Sequence, residues 1–485
     1  MTKDHGIDLM FNPKTIAIVG ASRENASKGW TGLLPIISEF GFPGRIYPIN
    51  PNALKINGLK TYRDLVSVPE PIDLVIISVS APAVPDALRD CIASGNKNVH
   101  IFTAGFKETG EEEGIKLQRE IEEIANSGGL RVIGPNCMGL YIPGARLVTW
   151  SQASKESGPV AFVSQSGGYA GDFTNYSNQL GIRFSKVISY GNALTLDSTD
   201  FIEYLADDAE TAFITMYLEG VKDGNKLLRL VKETNRTKPV IIMKGGLTES
   251  GTRAVNSHTG SMAGEEHTWR AFFRQTGAVR VDSLEEMADV TLSFLCLGPI
   301  RGRRAALIGT GGGNAVAAAD ICNSEGLEVP ILTQETRREL RRFIPYAGSS
   351  IMNPLDVIVY YDDDMGLLQK TLDTVSADPL VDILIVSLQL DWLWAVSENE
   401  HIATLTDYLT TSARDHVHDK PFVVSLNNYM NSPGLDKARM MLGQKLIKAG
   451  IPVYQGLRRA ASALSSIEEY HRFHGQQEKD IGGNY

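Results

Sequence analysis

Cysteine is scarce in this chain: four residues in 485, namely Cys91, Cys137, Cys296 and Cys322, far apart and without a CxxC pair. That spacing offers neither a disulfide framework nor a zinc knot, and it fits a reducing cytoplasm. Long apolar runs are missing as well, so no segment reads as a membrane span. The opening MTKDHGIDLMFNP lacks the apolar core and cleavage site of a signal peptide. Basic charge is in deficit, with 47 Lys and Arg against 57 Asp and Glu and a net charge of −10. A broad nucleic-acid surface needs the opposite balance. The dinucleotide signature GxGxxG is also lacking from the loop after the first strand, which reads GASRENASKG (20–29). The second strand ends in Asn50-Pro51, where a ribose-binding carboxylate would stand, and this speaks against an NAD(P) oxidoreductase.

What is present is an ordinary globular composition, 43% hydrophobic and 21% charged. The length is that of roughly three domains. Short apolar strands alternate with helical patterns. KTIAIVG (14–20), RIYPIN (45–50), DLVIISV (73–79), Val99–Thr103 and LRVIGPNC (130–137) form a first series. Helices are expected near Pro82–Ser94 and over 112–127. A second series runs PVAFVSQ, RFSKVIS (183–189), TAFITMYLE (211–219) and KPVIIMKGG (238–246), with helices at Ser198–Ala206 and Lys226–Thr234. A third begins at RRAALIGT and continues with DILIVSLQL (382–390) and KPFVVSLN (420–427). Alternation of this kind predicts α/β architecture with parallel sheets covered on both faces. We expect three doubly wound domains, at 1–150, 151–300 and 301–470, and a disordered polar tail at 471–485. In such sheets ligands gather at the carboxyl ends of strands.

Three strand–turn–helix openings are rich in glycine: residues 14–29, 158–171 and 303–316. In the first, Gly20 allows a tight turn, Ala21 and Ser22 follow, and Arg23 and Lys28 are positioned to meet phosphates. SQSGG (Ser164, Gln165, Ser166, Gly167, Gly168) and TGGG (Thr310, Gly311, Gly312, Gly313) are stronger candidates, because backbone N–H groups at a helix start form a nest for an oxyanion. The bland alternative for each is a turn that needs glycine for close packing.

RAVNSHTGSMAG (253–264) places His258 in an expected loop among small residues. An isolated histidine is most often without chemistry. As a nucleophile it would need a carboxylate to hold its other nitrogen and offset the developing charge. Glu219, at a strand end in MYLEGVKDG (216–224), is the best candidate, and Asp223 and Glu265 are weaker ones.

With these residues in view, the chain resembles the α subunit of NDP-forming (ADP-forming) acyl-CoA synthetases, relatives of the succinyl-CoA synthetase α subunit. SHTGSMAG (257–264) resembles the family's phosphohistidine loop, and YLEGVKDG (217–224) the segment with its partner glutamate. GAS (20–22), YPINP (47–51, with Asn50 and Pro51), SVSAP (78–82, with Ser78, Val79 and Ser80) and GPNC (134–137, with Pro135, Asn136 and Cys137) resemble a CoA-binding lobe. SQSGG resembles the phosphate-binding helix start, and NPLD (353–356) a motif of a third, flavodoxin-like domain.

The resemblance implies a Rossmann-like CoA-binding lobe followed by two flavodoxin-like domains of the succinyl-CoA synthetase type. It also implies a cytoplasmic acid–CoA ligase working through an acyl phosphate and a phosphohistidine at His258, supported by Glu219. Mg-ATP or Mg-ADP would be handled by an ATP-grasp module. Nothing like that module follows Ser465, so a separate β subunit and an α2β2-type hetero-oligomer are expected. No metal site is expected in this chain. The departures are the GTGGGN turn, the acidic VIVYYDDD (357–364), and Trp392 and Trp394, all of which bear on acyl specificity. A catalytically silent CoA-binding protein of the same fold is the alternative of a different class.

Overall fold

The computed structural model describes residues 6–22, 32–151, 153–258, 264–309, 311–346, 348–357, 366–415, 420–427, 430 and 433–482. The chain divides into two compact units, Met1–Asn178 with Ile182–Met287, and Gln179–Gly181 with Ala288–Tyr485. Among the described residues no helix is long and apolar enough to cross a membrane.

The first unit opens with α1 (Asp8–Phe11), β1 (Thr15–Val19), α2 (Leu33–Phe40) and β2 (Arg45–Ile49). A small hairpin, β3 (Lys55–Ile56) and β4 (Leu59–Lys60), precedes β5 (Leu74–Ile77), α3 (Val84–Ala93), β6 (Asn98–Ile101), α4 (Glu112–Gly128) and β7 (Arg131–Ile133). The sheet order is β2-β1-β5-β6-β7, and every pair is parallel. Leu74–Ile77 is buried at all four positions, as a strand covered on both faces must be. The order reverses between β1 and β5, and that reversal opens a crevice at their carboxyl ends.

The second sheet is built from β8 (Gly139–Ile142), β9 (Leu147–Val148), β10 (Ser157–Ser164), α5 (Gly167–Gln179), β11 (Phe184–Ser189), α6 (Ser198–Asp207) and β12 (Phe213–Leu218). It continues through α7 (Gly224–Thr234), β13 (Val240–Lys244), α8 (Glu249–His258), α9 (Glu266–Thr276) and β14 (Val279–Val281). Its order is β14-β13-β12-β10-β11-β8-β9. The switch point lies between β10 and β12, which pair in parallel from Val160↔Phe213 to Ser164↔Tyr217. Strand β8 pairs antiparallel with β11, so residues 139–148 belong to this sheet and not to the first. The change of sheet therefore precedes the boundary expected at 150; hydrogen bonding between strands distant in sequence fixes it.

A helix, α10 (Leu284–Cys296), leads to the second unit. There β15 (Ala305–Ile308), α11 (Gly312–Ser324), α12 (Gln334–Leu340), α13 (Gly366–Ser376), β16 (Ile383–Gln389), α14 (Leu390–Asp415), β17 (Phe422–Asn427), α15 (Pro433–Lys448), β18 (Val453–Gln455) and α16 (Leu457–Gly482) follow. The four strands run in parallel in the order β15-β16-β17-β18. Asn353, from NPLD, fastens the edge: its Oδ1 accepts from Leu307 N at 2.9 Å, and its Nδ2 donates to Ala305 O at 2.8 Å. The tail expected to be disordered instead continues α16 through Gly482. Its first half buries Leu457, Ala460, Leu464 and Ile467, and a helix so anchored extends into polar sequence at small cost.

One buried contact ties the two sheets of the first unit together. His100 on β6 is fully buried, and among the described residues neither ring nitrogen has a partner in good hydrogen-bond geometry. A Cβ at Gly139, which starts β8 at φ +87°, would lie 2.1 Å from the imidazole Cε1. Gly139→Ala should therefore destabilise this unit by about 3 kcal/mol, through overpacking and left-handed strain; urea unfolding of the variant measures it. The loss should shrink when His100→Ala makes room. Burial pushes the His100 imidazole down to about 3, with the Cys137 backbone opposing in part. The unfolded chain binds this proton near pH 6.5 and the folded chain does not, so stability falls as pH drops from 6.5 towards 3, by at most about 1.4 kcal/mol per unit. A pH series of urea midpoints should show a shallower acid limb in His100→Phe.

Candidate functional site

Two carboxyl edges carry the candidate residues of the first unit. At the edge of the first sheet, Gly20 has φ +88°, and a Cβ there would lie 2.5 Å from Ser78 O. The turn needs glycine, and the lack of a side chain opens the β1–β5 crevice to a ligand's backbone-close approach. Its N–H donates to Ile49 O. Ala21 is buried in the core, and its carbonyl accepts from Asn50 Nδ2 at 2.8 Å. Asn50 Oδ1 accepts from Asn52 N, so Asn50 is spent on shaping the turn around the exposed Pro51.

Ser78 N donates to Val19 O, and Val79 O accepts from Thr103 Oγ1 at 2.7 Å. Ser80 precedes a short helical turn and is exposed. The Gly134-Pro135 peptide is cis and Asn136 has φ +57°; its N–H reaches Thr103 O. Cys137 is buried, with Sγ 3.6 Å from Ile101 O, and burial pushes its thiol up, away from thiolate chemistry. The fold thus gathers Gly20, Ser78, Val79 and Asn136 along one edge. Thr103, which joins the last two, was not singled out in the sequence; a hydroxyl directly after a strand was the only signal. Ser22 lies beside Gly20 and Ala21 in the chain, whereas Arg23 and Lys28 lie outside the described residues.

The second sheet's edge is more tightly organised. Ser164 closes β10, fully buried, and its Oγ donates to Ser166 O at 2.7 Å. Ser166 Oγ accepts from Tyr169 N in the first turn of α5, which Gly167 and Gly168 begin. Gln165 sits 3% exposed at the switch point. Its Oε1 accepts from Glu219 N at 2.8 Å and from Gly220 N at 3.0 Å. Glu219 is equally buried, and its Oε1 accepts from Tyr217 OH at 3.2 Å. Burial, then the neighbouring Glu219 charge, pushes the Tyr217 phenol up, so it stays a donor. Lys244, at the end of β13, donates to Glu219 O at 2.9 Å. The sequence reading found Glu219 and Gln165 but not Tyr217 or Lys244, whose roles depend on strand register.

His258 was expected in a loop. It is the last residue of α8, because Thr248 starts that helix: its Oγ1 accepts from Gly251 N at 3.0 Å, and Thr252 Oγ1 donates to Gly246 O. The His258 side chain and residues 259–263 lie outside the described residues. The backbone of α8 runs beside the 107–109 turn that follows β6, so the helix ending in His258 lies between both carboxyl edges. The weaker carboxylates have other duties. Asp223 caps α7 by accepting from Lys226 N. Glu265 is exposed and pairs with His267 at 3.1 Å.

In the second unit, Gly311, Gly312 and Gly313 open α11, and Thr310 lies outside the described residues. Gly312 N donates to Asp356 Oδ2 at 2.8 Å. The helix start read as a phosphate nest is thus met here by the carboxylate of NPLD. Asp362–Asp364 and the Trp392 side chain are outside the described residues, and Trp394 packs on the apolar core.

A family model described as a CoA binding domain matches residues 14–143, and one described as a succinyl-CoA ligase like flavodoxin domain matches residues 157–294. The chain is 38% identical over 394 residues to acetate–CoA ligase (ADP-forming) I of Archaeoglobus fulgidus, covering 80% of this chain and 56% of that relative. It therefore spans little more than half of that protein's length. It is 35% identical over 483 residues to the α subunit of acetate–CoA ligase (ADP-forming) II of Pyrococcus furiosus, covering 98% of this chain and 99% of that subunit. The solved structure of Ca. Korarchaeum cryptofilum dinucleotide forming acetyl-coenzyme A synthetase 1 with phosphate and ADP matches with a TM-score of 0.82 at 30% identity, over 98% of this chain and 99% of that one. With its whole length so matched, the chain belongs to the family of ADP-forming acid–CoA ligases, as the part that Pyrococcus furiosus carries as an α subunit.

Proposed function

We propose that this chain is the α component of an ADP-forming acid–CoA ligase that interconverts acyl-CoA, ADP and phosphate with a carboxylic acid, CoA and ATP. The observation that carries the proposal is Glu219, buried at the β10–β12 switch point between Gln165 and Lys244, beside the strand that leads into the helix of His258. A phosphate oxygen attacks the thioester carbonyl; the C–S bond breaks, and the products are an acyl phosphate and the CoA thiol. The His258 imidazole then attacks phosphorus, an N–P bond forms as the P–O bond to the acyl group breaks, and the carboxylate leaves. Glu219 holds the imidazole and offsets its developing charge. The N–H groups of Gly167 and Gly168 stabilise the phosphoryl oxygens at the start of α5.

CoA is assigned to the crevice at Gly20, Ala21, Ser22, Ser78–Ser80 and Pro135–Cys137, and the positive charges of Arg23 and Lys28 are assigned to its phosphates. Transfer to ADP is assigned to an ATP-grasp module with magnesium, on a β subunit in an α2β2-type assembly. Small carboxylic acids are the substrate class, as the relatives' names include acetate. The silent CoA-binding alternative has no observation in its favour. The compartment is proposed to be cytoplasmic.

Phosphoryl labelling tests the reaction. The chain, an ATP-grasp subunit, magnesium and γ-labelled ATP should give acid-labile, base-stable label that His258→Ala abolishes. Glu219→Gln should slow labelling by about 10²-fold or more, the loss expected for a group acting on proton position and charge. Wild-type protein left unlabelled beside a competent partner sinks the phosphohistidine route. For the crevice, CoA at 100 times its Kd should add about 2.7 kcal/mol, a rise of several degrees in Tm, while NADH gives none; a rise with NADH alone reverses the ligand assignment.

A further inference from the structure

Lys244 is 7% exposed, an unusual place for an ammonium group. A methionine of similar length would pack there without the cost of burying a charge. Three directions around Nζ are occupied. It donates to Glu219 O at 2.9 Å and to Gly245 O, and it stands 5.2 Å above the Trp269 ring. An ammonium has three N–H bonds, so two carbonyls and one aromatic face use them all. Register places the group: Lys244 pairs with Leu218, the residue before Glu219. Trp269 in turn abuts Gly264, the first described residue after the His258 segment; a Cβ there would lie 3.2 Å from the indole nitrogen.

We propose that Lys244 is a positioning residue for Glu219, bracing the backbone that aims its carboxylate and tying that strand end to Trp269 of α9, the helix that follows the His258 segment in the chain. The inference rests on Glu219 acting on His258. Among the described residues the charged group acting on Lys244 is Glu219, just past the end of β12; Tyr217 bonds the Glu219 carboxylate, with Tyr169 of α5 stacked on it, and α9 presents the Trp269 indole.

Burial pushes the Lys244 ammonium down to about 8, against the opposing pull of Glu219. Between about pH 8 and the ordinary lysine value of about 10.4, the unfolded chain holds this proton and the folded chain does not. Over that window the group's contribution makes stability rise with pH, whereas the brace is lost. Function and stability therefore move in opposite directions, which a merely structural lysine would not cause.

The test compares wild type, Lys244→Met and Lys244→Arg in the complex with an ATP-grasp subunit, using γ-labelled ATP from pH 7 to 10. Wild-type labelling should decline above pH 8. Lys244→Met should label about 10²-fold more slowly at pH 7, the cost of misplacing a reacting group by about 1 Å, and should lose the alkaline limb. Lys244→Arg should recover much of the rate and carry the limb to higher pH. Wild-type rates and an unchanged limb in Lys244→Met overturn the inference and leave the phosphohistidine reading standing; unlabelled wild type overturns both. Trp269 fluorescence, taken as the difference from Trp269→Phe, reports without turnover. It should titrate near pH 8 in wild type and not in Lys244→Met, and a flat wild-type trace removes the coupling to Trp269.

Discussion

A single side-chain oxygen organises the second sheet's edge. Gln165 Oε1 takes two consecutive backbone N–H groups, those of Glu219 and Gly220, just where β12 ends and its ladder partners run out. Those donors are buried, and leaving them unpaired would cost about 1–3 kcal/mol each. Gln165 in turn is fixed by its own N–H on Tyr217 O. Strand β10 thus determines where the chain after β12 turns, and Glu219 is presented at the switch point as a consequence. Lys244 reaches the same turn from the other side through the Glu219 carbonyl. The carboxylate is therefore held by its backbone from both neighbouring strands, an arrangement only a parallel sheet with a central switch provides.

Much of this was legible in the chain. The strands Thr15–Val19, Leu74–Ile77, Ser157–Ser164 and Phe213–Leu218 are dense β-branched and apolar runs, and a run buried on both faces announces itself. The motifs SQSGG and YLEG were legible for the same reason: they follow such runs directly. Short strands were not. Gly139–Ile142, Leu147–Val148 and Val279–Val281 carry too few residues for a period to emerge, and their membership is decided by partners far away in sequence.

The same reason hid Lys244 and Thr103. Each is an unremarkable residue until register sets it opposite Leu218 or beside Val79. His258 shows the converse error. Small residues around it read as loop, but Thr248 supplies a helix start ten residues earlier, and an Ala/Val/Asn stretch continues the helix to the histidine. Polar composition misled at the C-terminus too, where α16 carries its buried first half into a charged second half.

The carboxylate of Asp356 on the Gly312 N–H gives the second unit a different character from the first. The Gly312 N–H at the start of α11 already has an anionic partner on its own chain. A second anion seeking that donor would first have to displace the Asp356 carboxylate, so the contact lowers whatever affinity the helix start alone would offer.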